Sequence, residues 1–249
     1  MRVLALILLA CCLPGSVTAG EVLAGVASNF AAPMQALARA FEARSGHRVS
    51  VALGSSGALY AQVRHGAPFA VLLSADAEIP ERLEVEGLAV PGTRFTYARG
   101  RLALWSADPR RLIADGEALR SGDFLRLAIA NPRHAPYGMA AREVLDALDI
   151  ELGREQTLVQ GESIAQAYQF VASGNAELGF VALSQVWLDG SLRSGSAWIV
   201  PETLHAPIEQ QVVLLNAGAG QPAARDLLAF LAGDEAQAII ARYGYGRAP

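Results

Sequence analysis

Two serine-containing turns are the parts of this sequence that could most readily do chemistry. Ser28 lies within residues 26–30 and Ser56 within residues 53–57, and each turn follows an apolar run and precedes a segment with helical periodicity. A helix start offers unpaired backbone N–H groups and the positive end of the helix dipole, which together favour a bound anion. Two such starts facing one cleft predict a site for a small oxyanion. The alternative is that both serines are ordinary helix caps.

Two further turns of this kind occur in the second half of the chain, at residues 136–138 and 162–164. Tyr137 could add a phenolic donor, and the backbone N–H of Ile164 lies at a predicted helix start. All of these donors are neutral, which suits a fully deprotonated oxyanion. A protonated phosphate must also donate a hydrogen bond and would need a carboxylate acceptor, for which Glu162 is the nearby candidate.

The elements that would position these turns alternate between strands and helices. Strands are predicted at residues 22–26, 49–53 and 71–73, separated by helices whose apolar faces carry Met34, Leu37 and Phe41, and then Leu59 and Val63. The second half repeats the alternation, with strands predicted at 101–105, 127–130, 178–183 and 212–215 and helices at 222–231 and 234–242. This pattern predicts an α/β protein of two lobes with parallel sheets and a cleft at the carboxyl ends of the strands.

Catalytic interpretations of the same residues are weaker. An exported hydrolase could use Ser28 or Ser56 as nucleophile and His134 as base, but neither serine lies in a Gly-x-Ser-x-Gly motif. No histidine stands in a metal-binding pattern, and there is no glycine-rich nucleotide fingerprint. The sequence therefore favours a binding protein over an enzyme and indicates no cofactor.

The first 19 residues are predicted to be a secretory signal peptide. A basic start, an apolar run at residues 3–13 and the small residues Val-Thr-Ala at 17–19 are typical of one. Cys11 follows Leu-Leu-Ala, so a lipoprotein anchor is the alternative. Both cysteines, Cys11 and Cys12, lie in this segment, and the rest of the chain can form neither disulfides nor a thiolate metal site. We therefore expect a periplasmic protein.

The composition of the chain limits the kinds of molecule that it could bind. The chain has 249 residues, a net charge of −4 and no lysine, which excludes P-loop lysine and Schiff-base chemistry. No basic stripe indicates nucleic acid. After residue 19, no apolar stretch approaches the ~20 residues that a membrane span requires. These features predict a soluble, extracytoplasmic protein, and we expect it to be a monomer.

An ordered series of motifs resembles the periplasmic molybdate-binding proteins of ABC importers. In the first half these are Val-Ala-Ser-Asn (26–29), Gly-Ser-Ser-Gly (54–57), Gly-Ala-Pro (66–68) and Ser-Ala-Asp (74–76). In the second half they are Asn-Pro (131–132), Ala-Pro-Tyr-Gly (135–138), Leu-Gly-Phe-Val (178–181) and Arg-Tyr-Gly (242–244). No single motif is specific, but the ordered set runs from about Val22 to Tyr245.

The resemblance implies a type II periplasmic-binding-protein fold that closes on molybdate or tungstate. Each lobe would be a mostly parallel sheet flanked by helices, with the ligand cleft between the lobes. Lobe 1 would comprise residues 20–98 and 199–249 and lobe 2 residues 99–198, with crossings near 97–101 and 197–201. The partner would be the membrane permease of an ABC importer.

The resemblance also implies the residues that hold the anion. Ser28 and Ser56 would each bind through the hydroxyl and the backbone N–H, and Asn29 would add a donor. From the other lobe, Tyr137 and the N–H of Ile164 would complete the cage. The metal atom would have no direct protein ligand, because every contact is made to the oxyanion oxygens.

One departure and one alternative bear on specificity. Some relatives carry a tyrosine after Leu-Gly-x-Val where this chain has Ala182, and Tyr137 is expected to replace it. The same fold could instead bind another oxyanion such as sulfate, which has the same charge as molybdate but is smaller. Molybdate and tungstate are nearly equal in size, so the sequence does not separate them.

Overall fold

A computed structural model describes residues 19–111 and 114–247, so both cysteines and all but the last residue of the predicted signal peptide lie outside the described residues. The chain forms two five-stranded sheets. The first contains β1 (Glu21–Ala27), β2 (Arg48–Gly54), β3 (Val71–Leu73), β4 (Phe95–Gly100) and β12 (Ile208–Leu214), in the spatial order β2-β1-β3-β12-β4.

The second sheet lies between the two parts of the first along the chain. It contains β5 (Leu102–Ser106), β6 (Arg126–Ala130), β7 (Thr157–Gly161), β8 (Leu178–Ala182) and β11 (Ser196–Ile199), in the order β11-β5-β8-β6-β7. A short hairpin of β9 (Trp187–Leu188) and β10 (Ser191–Leu192) follows β8. The predicted strand after residue 178 ends at Ala182, and β4, β7 and β11 had no separate prediction.

Helices cover both faces of the first sheet. The core on one face is shared with α1 (Ala31–Ser45), α8 (Pro222–Ala232) and α9 (Asp234–Arg242), and that on the other face with α2 (Ser56–Arg64) and α3 (Glu78–Val85). The second sheet packs with α4 (Glu117–Ser121), α5 (Pro136–Ala147), α6 (Ile164–Ala172) and α7 (Leu183–Val186). The predicted two-lobe α/β architecture is therefore confirmed.

Helix α1 illustrates why the sequence pattern was informative. Met34, Leu37 and Phe41 recur at helical spacing and are all buried in the core of the first lobe. The helix ends at Ser45, and the next residue, Gly46, has a φ of 73° and adopts the left-handed conformation that glycine tolerates without strain.

Each sheet contains one strand that runs against the other four. Strand β12 is antiparallel to β3 and β4, and β5 is antiparallel to β8 and β11. Both are the first strand after the chain crosses from one sheet to the other. The crossing starts at the cleft, where β4 and β11 end, so the next strand must run away from the cleft.

The crossings themselves are short. Only Arg101 separates β4 from β5, and residues 200–207 separate β11 from β12. The predicted divisions at 98/99 and 198/199 fall inside β4 and β11. No helix of the described residues is both long and apolar enough to cross a membrane.

Candidate functional site

Strand register brings the four predicted turns together in pairs. In the first lobe Ala27, the last residue of β1, lies beside Gly54, the last residue of β2. In the second lobe Ala130 at the end of β6 lies beside Gly161 at the end of β7. The turns that follow these strands therefore emerge side by side at the cleft edge of each sheet.

Neither serine caps a helix. Ser28 begins a 3₁₀ turn, Ser28–Phe30, that precedes α1, and Ser56 is the first residue of α2. No side-chain cap hydrogen bond is present at the start of the 3₁₀ turn, of α1 or of α2. The capping alternative is therefore wrong for both, and the backbone N–H groups of Ser28 and Ser56 are not used by a side-chain cap.

The Ser56 hydroxyl is held in place by the backbone. Its side chain is buried, and Oγ accepts a hydrogen bond of 2.9 Å from the Ala75 N–H. A hydroxyl that accepts in this way keeps its own hydrogen for donation. Ser56 is thus oriented as a donor, and Ser28 is likewise buried at the neighbouring turn.

The side-chain amide of Asn29 donates its hydrogen bonds within the protein. Its Nδ2 donates to Gln210 Oε1 and to the Tyr245 hydroxyl, each at 2.9 Å. Both amide hydrogens are used, because a buried amide must satisfy its donors within the protein. The expectation that this amide adds a donor for the ligand therefore needs correction, and Asn29 can offer only its backbone N–H.

Tyr137 is the second residue of α5, and no side chain caps this helix start. The helix approaches β6 closely, since a Cβ on Gly138 would lie 2.3 Å from the Ala130 carbonyl oxygen. The phenol is buried and accepts a 2.9 Å hydrogen bond from Gln210 Nε2. Burial raises the pKa of Tyr137 well above its usual value, so the hydroxyl stays protonated and can donate.

Ile164 is the first residue of α6, and its side chain is buried in the second lobe. Ser163 caps this helix by accepting from the Gln166 N–H. This cap does not use the Ile164 N–H, which lies at the helix start. Gln185 Nε2 donates to the Ile164 carbonyl at 3.2 Å. Glu162, the candidate acceptor for a protonated anion, is exposed.

The two lobes touch across the cleft. The Gly57 N–H donates to the His134 carbonyl at 3.0 Å, and Ser184 Oγ donates to the Asn29 carbonyl at 2.8 Å. The His134 imidazole is bonded to neither serine in the described part of the chain, so the nucleophile–base pair of a hydrolase is not formed.

Four polar residues near the cleft were missed by sequence reasoning. They form a buried hydrogen-bonded set with Asn29 and Tyr137, and burial raises the pKa of Tyr245 to about 12. The one sequence signal was the polar run 209–211, which ends in two amides and lies in a strand that is otherwise apolar. The members are Tyr97, Ser184, Gln210 and Tyr245.

The site residues are uncharged by type. Ser28, Asn29, Ser56, Tyr137 and Ile164 supply hydroxyl and N–H donors only. Within residues 19–111 and 114–247, no group of three or more histidine, cysteine, aspartate or glutamate side chains is placed to hold a metal ion. The arrangement can therefore bind an oxyanion through its oxygens.

Comparisons with known proteins identify the relatives of this chain. The model of the family of bacterial extracellular solute-binding proteins matches residues 22–246. The chain is 51% identical over 239 residues to molybdate-binding protein ModA of Azotobacter vinelandii, covering 96% of this chain and 93% of that protein. It is 50% identical over 227 residues to ModA of Rhodobacter capsulatus, covering 91% and 88%. A solved Azotobacter vinelandii periplasmic molybdate-binding protein superimposes with a TM-score of 0.88 at 39% identity, covering 92% of this chain and 100% of that one.

Proposed function

The chain belongs to the bacterial extracellular solute-binding protein family, and we propose that it captures molybdate and delivers it to the membrane permease of an ABC importer. Its architecture is the type II periplasmic-binding-protein fold. The observation that carries the proposal is the pair of uncapped helix starts at Ser28 and Ser56. The turn at Ser56 contacts the second lobe through the Gly57–His134 hydrogen bond, and the similar proteins with about half of their residues identical are named for molybdate.

The proposed cage takes donors from all four turns. Ser28 and Ser56 bind through hydroxyl and backbone N–H groups, and Asn29 binds through its backbone N–H. Tyr137 contributes from α5 and Ile164 contributes its N–H from α6. Hydrogen bonds to a dianion are charge-assisted, so a few neutral donors supply high affinity.

Binding is proposed to close the two lobes around the ligand. The hinge consists of Arg101 and residues 200–207, which join the sheets. Sheet membership supports a first lobe of residues 20–100 with 208–247 and a second of 102–199. The contact between Gly57 and His134 belongs to the closed form, and domain closure around a ligand is common in this kind of binding protein.

Selectivity follows from the donors and the size of the cage. Every group donates, so a fully deprotonated dianion satisfies them all and a protonated phosphate does not. Sulfate is smaller than molybdate and would leave buried donors unmet, which is costly. Tungstate has nearly the size of molybdate and is proposed to bind as well. The protein acts as a monomer in the periplasm, without enzymatic activity or cofactor.

Calorimetric titration with molybdate, tungstate, sulfate and phosphate tests the proposal. We expect molybdate and tungstate to bind and the other two to bind at least ~100-fold more weakly. Ser56→Ala should weaken molybdate binding by roughly 10- to 100-fold, the effect of one charge-assisted hydrogen bond. Ser55→Ala is the matched control, since the Ser55 hydroxyl makes no cap bond to α2. Absence of binding of both molybdate and tungstate would overturn the proposal, and preference for sulfate would establish the alternative ligand.

A further inference from the structure

A buried amide joins the two lobes beside the hinge. Gln210 on β12 is completely buried, and its Oε1 accepts from Asn29 Nδ2 and from the Tyr97 hydroxyl, each at 2.9 Å. Its Nε2 donates to the Tyr137 hydroxyl, also at 2.9 Å. One side chain thus connects the turn that begins at Ser28 with the phenol of the opposite lobe.

Gly100 makes room for this contact. A Cβ at Gly100 would lie 2.4 Å from the Tyr137 hydroxyl and 2.7 Å from Gln210 Nε2, so no other residue fits without displacing the pair. Gly100 is the last residue of β4, directly before Arg101 at the crossing. The contact therefore lies next to the hinge, where relative movement of the lobes is smallest.

We propose that Gln210 is a positioning residue that holds the Tyr137 hydroxyl with its proton directed at the bound oxyanion. The phenol oxygen accepts from Gln210, so its own hydrogen can be donated, and the Tyr245 hydroxyl and the bound oxyanion are the two acceptors that compete for it. Gln210 itself does not touch the ligand in this proposal. The inference rests on the proposed function, because it assigns a role within the same anion site.

The direction of the amide decides whether the proton is available. A second hydrogen-bond pattern results if the side-chain amides of Asn29 and Gln210 are both flipped, so that their oxygen and nitrogen atoms exchange places. In this pattern Tyr97 donates to the Ser74 carbonyl at 3.2 Å. In that pattern the Tyr137 hydroxyl donates its hydrogen bond to Gln210 Oε1. Only the first pattern offers a donor to the ligand, so a bound dianion selects it.

Gln210→Glu tests the role, because a carboxylate only accepts hydrogen bonds and would capture the Tyr137 proton. We expect molybdate affinity to fall at least ~10-fold in calorimetric titration, as for loss of one charge-assisted hydrogen bond. Gln211→Glu is the matched control. Gln211 is the next residue on β12 but bonds to Arg94 and Thr96, so this variant should bind like the wild type.

A double-mutant cycle separates positioning from a general structural effect. If Gln210 acts through the phenol, Gln210→Glu should have little effect on affinity in a Tyr137→Phe background. The backbone N–H of Tyr137 remains in that background, so binding stays measurable. Gln210→Met is a second variant that buries no carboxylate, and its effect should also largely vanish there.

The outcomes are distinct. A wild-type protein that binds neither molybdate nor tungstate would overturn the proposed function, and the role of Gln210 with it. If the wild type binds and Gln210→Glu binds equally well, only the role of Gln210 is overturned. The same holds if the losses from the Gln210 variants are undiminished in the Tyr137→Phe background.

Discussion

The two ligand turns of the first lobe meet the second lobe in opposite ways. The turn at Ser28 and Asn29 is joined to it by buried side chains, through Gln210 to Tyr137 and through the Asn29 carbonyl to Ser184. The turn at Ser56 meets it through one backbone hydrogen bond, from Gly57 to His134. The first connection uses several polar groups and the second a single one.

Sheet order explains the difference. The Ser56 turn follows β2, the strand at the edge of the first sheet furthest from β4 and the Arg101 crossing. The Ser28 turn follows β1, one strand closer to β12, and it reaches Gln210 on that strand. If the lobes open about the proposed hinge, residues near it can keep their partners, whereas residues at the far edge must release theirs. We call these the hinge side and the mouth of the cleft.

The largest effect on this comparison is expected at the mouth, from Gly57→Ala. A Cβ at Gly57 would lie 3.1 Å from His134 Cα and 3.2 Å from its Cβ and carbonyl oxygen. The closed form would be overpacked, which costs ~1–3 kcal/mol, and molybdate affinity should fall about 10-fold or more. Calorimetry measures the affinity, and small-angle scattering should show less compaction on adding ligand.

Gly220→Ala is the control for this change, because a Cβ there meets no atom within 4 Å. It should leave both affinity and compaction unchanged. Wild-type affinity in Gly57→Ala would mean that the contact with His134 is not formed on closure.

A smaller effect is expected on the hinge side, from Ser184→Ala. This change removes the bonds of Ser184 Oγ to the Asn29 carbonyl and the Tyr245 hydroxyl. The free energy of unfolding should fall by about 1–2 kcal/mol, measured by denaturant titration without ligand. Ser191→Ala removes an exposed hydroxyl that bonds only to the Leu188 carbonyl and should change little. A stability loss in the control equal to that in Ser184→Ala would contradict the assignment.

The smallest effect concerns the pH dependence of the mouth-side turn. Asp76 follows Ala75, whose N–H holds Ser56, and burial raises the pKa of the Asp76 carboxyl. The native state therefore holds this proton more tightly than the unfolded chain, and its contribution to stability falls as pH rises from the ordinary aspartate value through the raised one. Asp76→Asn keeps an acceptor for the Ile79 N–H but does not titrate.

The stability of Asp76→Asn relative to wild type should therefore increase between about pH 4 and pH 7, as measured by thermal unfolding across that range. Asp146→Asn, whose side chain is 73% exposed in the wild type, is the control for an exposed aspartate. A flat difference for Asp76→Asn would show that its carboxyl titrates alike in the native and unfolded states.

Sequence reasoning succeeded where residues close together in the sequence determine the structure. The buried face of α1 follows from the spacing of Met34, Leu37 and Phe41, and the ligand turns follow from their places between strands and helices. It failed where the partner is distant in sequence. The use of the Asn29 amide depends on Gln210 and Tyr245, which are 181 and 216 residues away.

Strand direction was also beyond local reasoning. The apolar runs of β5 and β12 look like those of their parallel neighbours, and their reversal is imposed by the crossings at the cleft. The hydrogen-bonded set around Gln210 was signalled only by the polar run 209–211 at the start of β12. Which of these amides faces the cleft depends on the pairing of β12 with β4, where the register shifts between Gln210 and Gln211.

The place of β12 in the first sheet has a consequence for the order of folding during synthesis or export. Strand β4 pairs with its sheet only through β12, which lies between β3 and β4. When the chain emerges from its amino-terminal end, β4 must wait for more than a hundred further residues before it has a neighbour. The second lobe is contiguous in sequence and can complete its sheet first. The first lobe is therefore completed last, when the carboxyl-terminal segment adds β12 to its sheet.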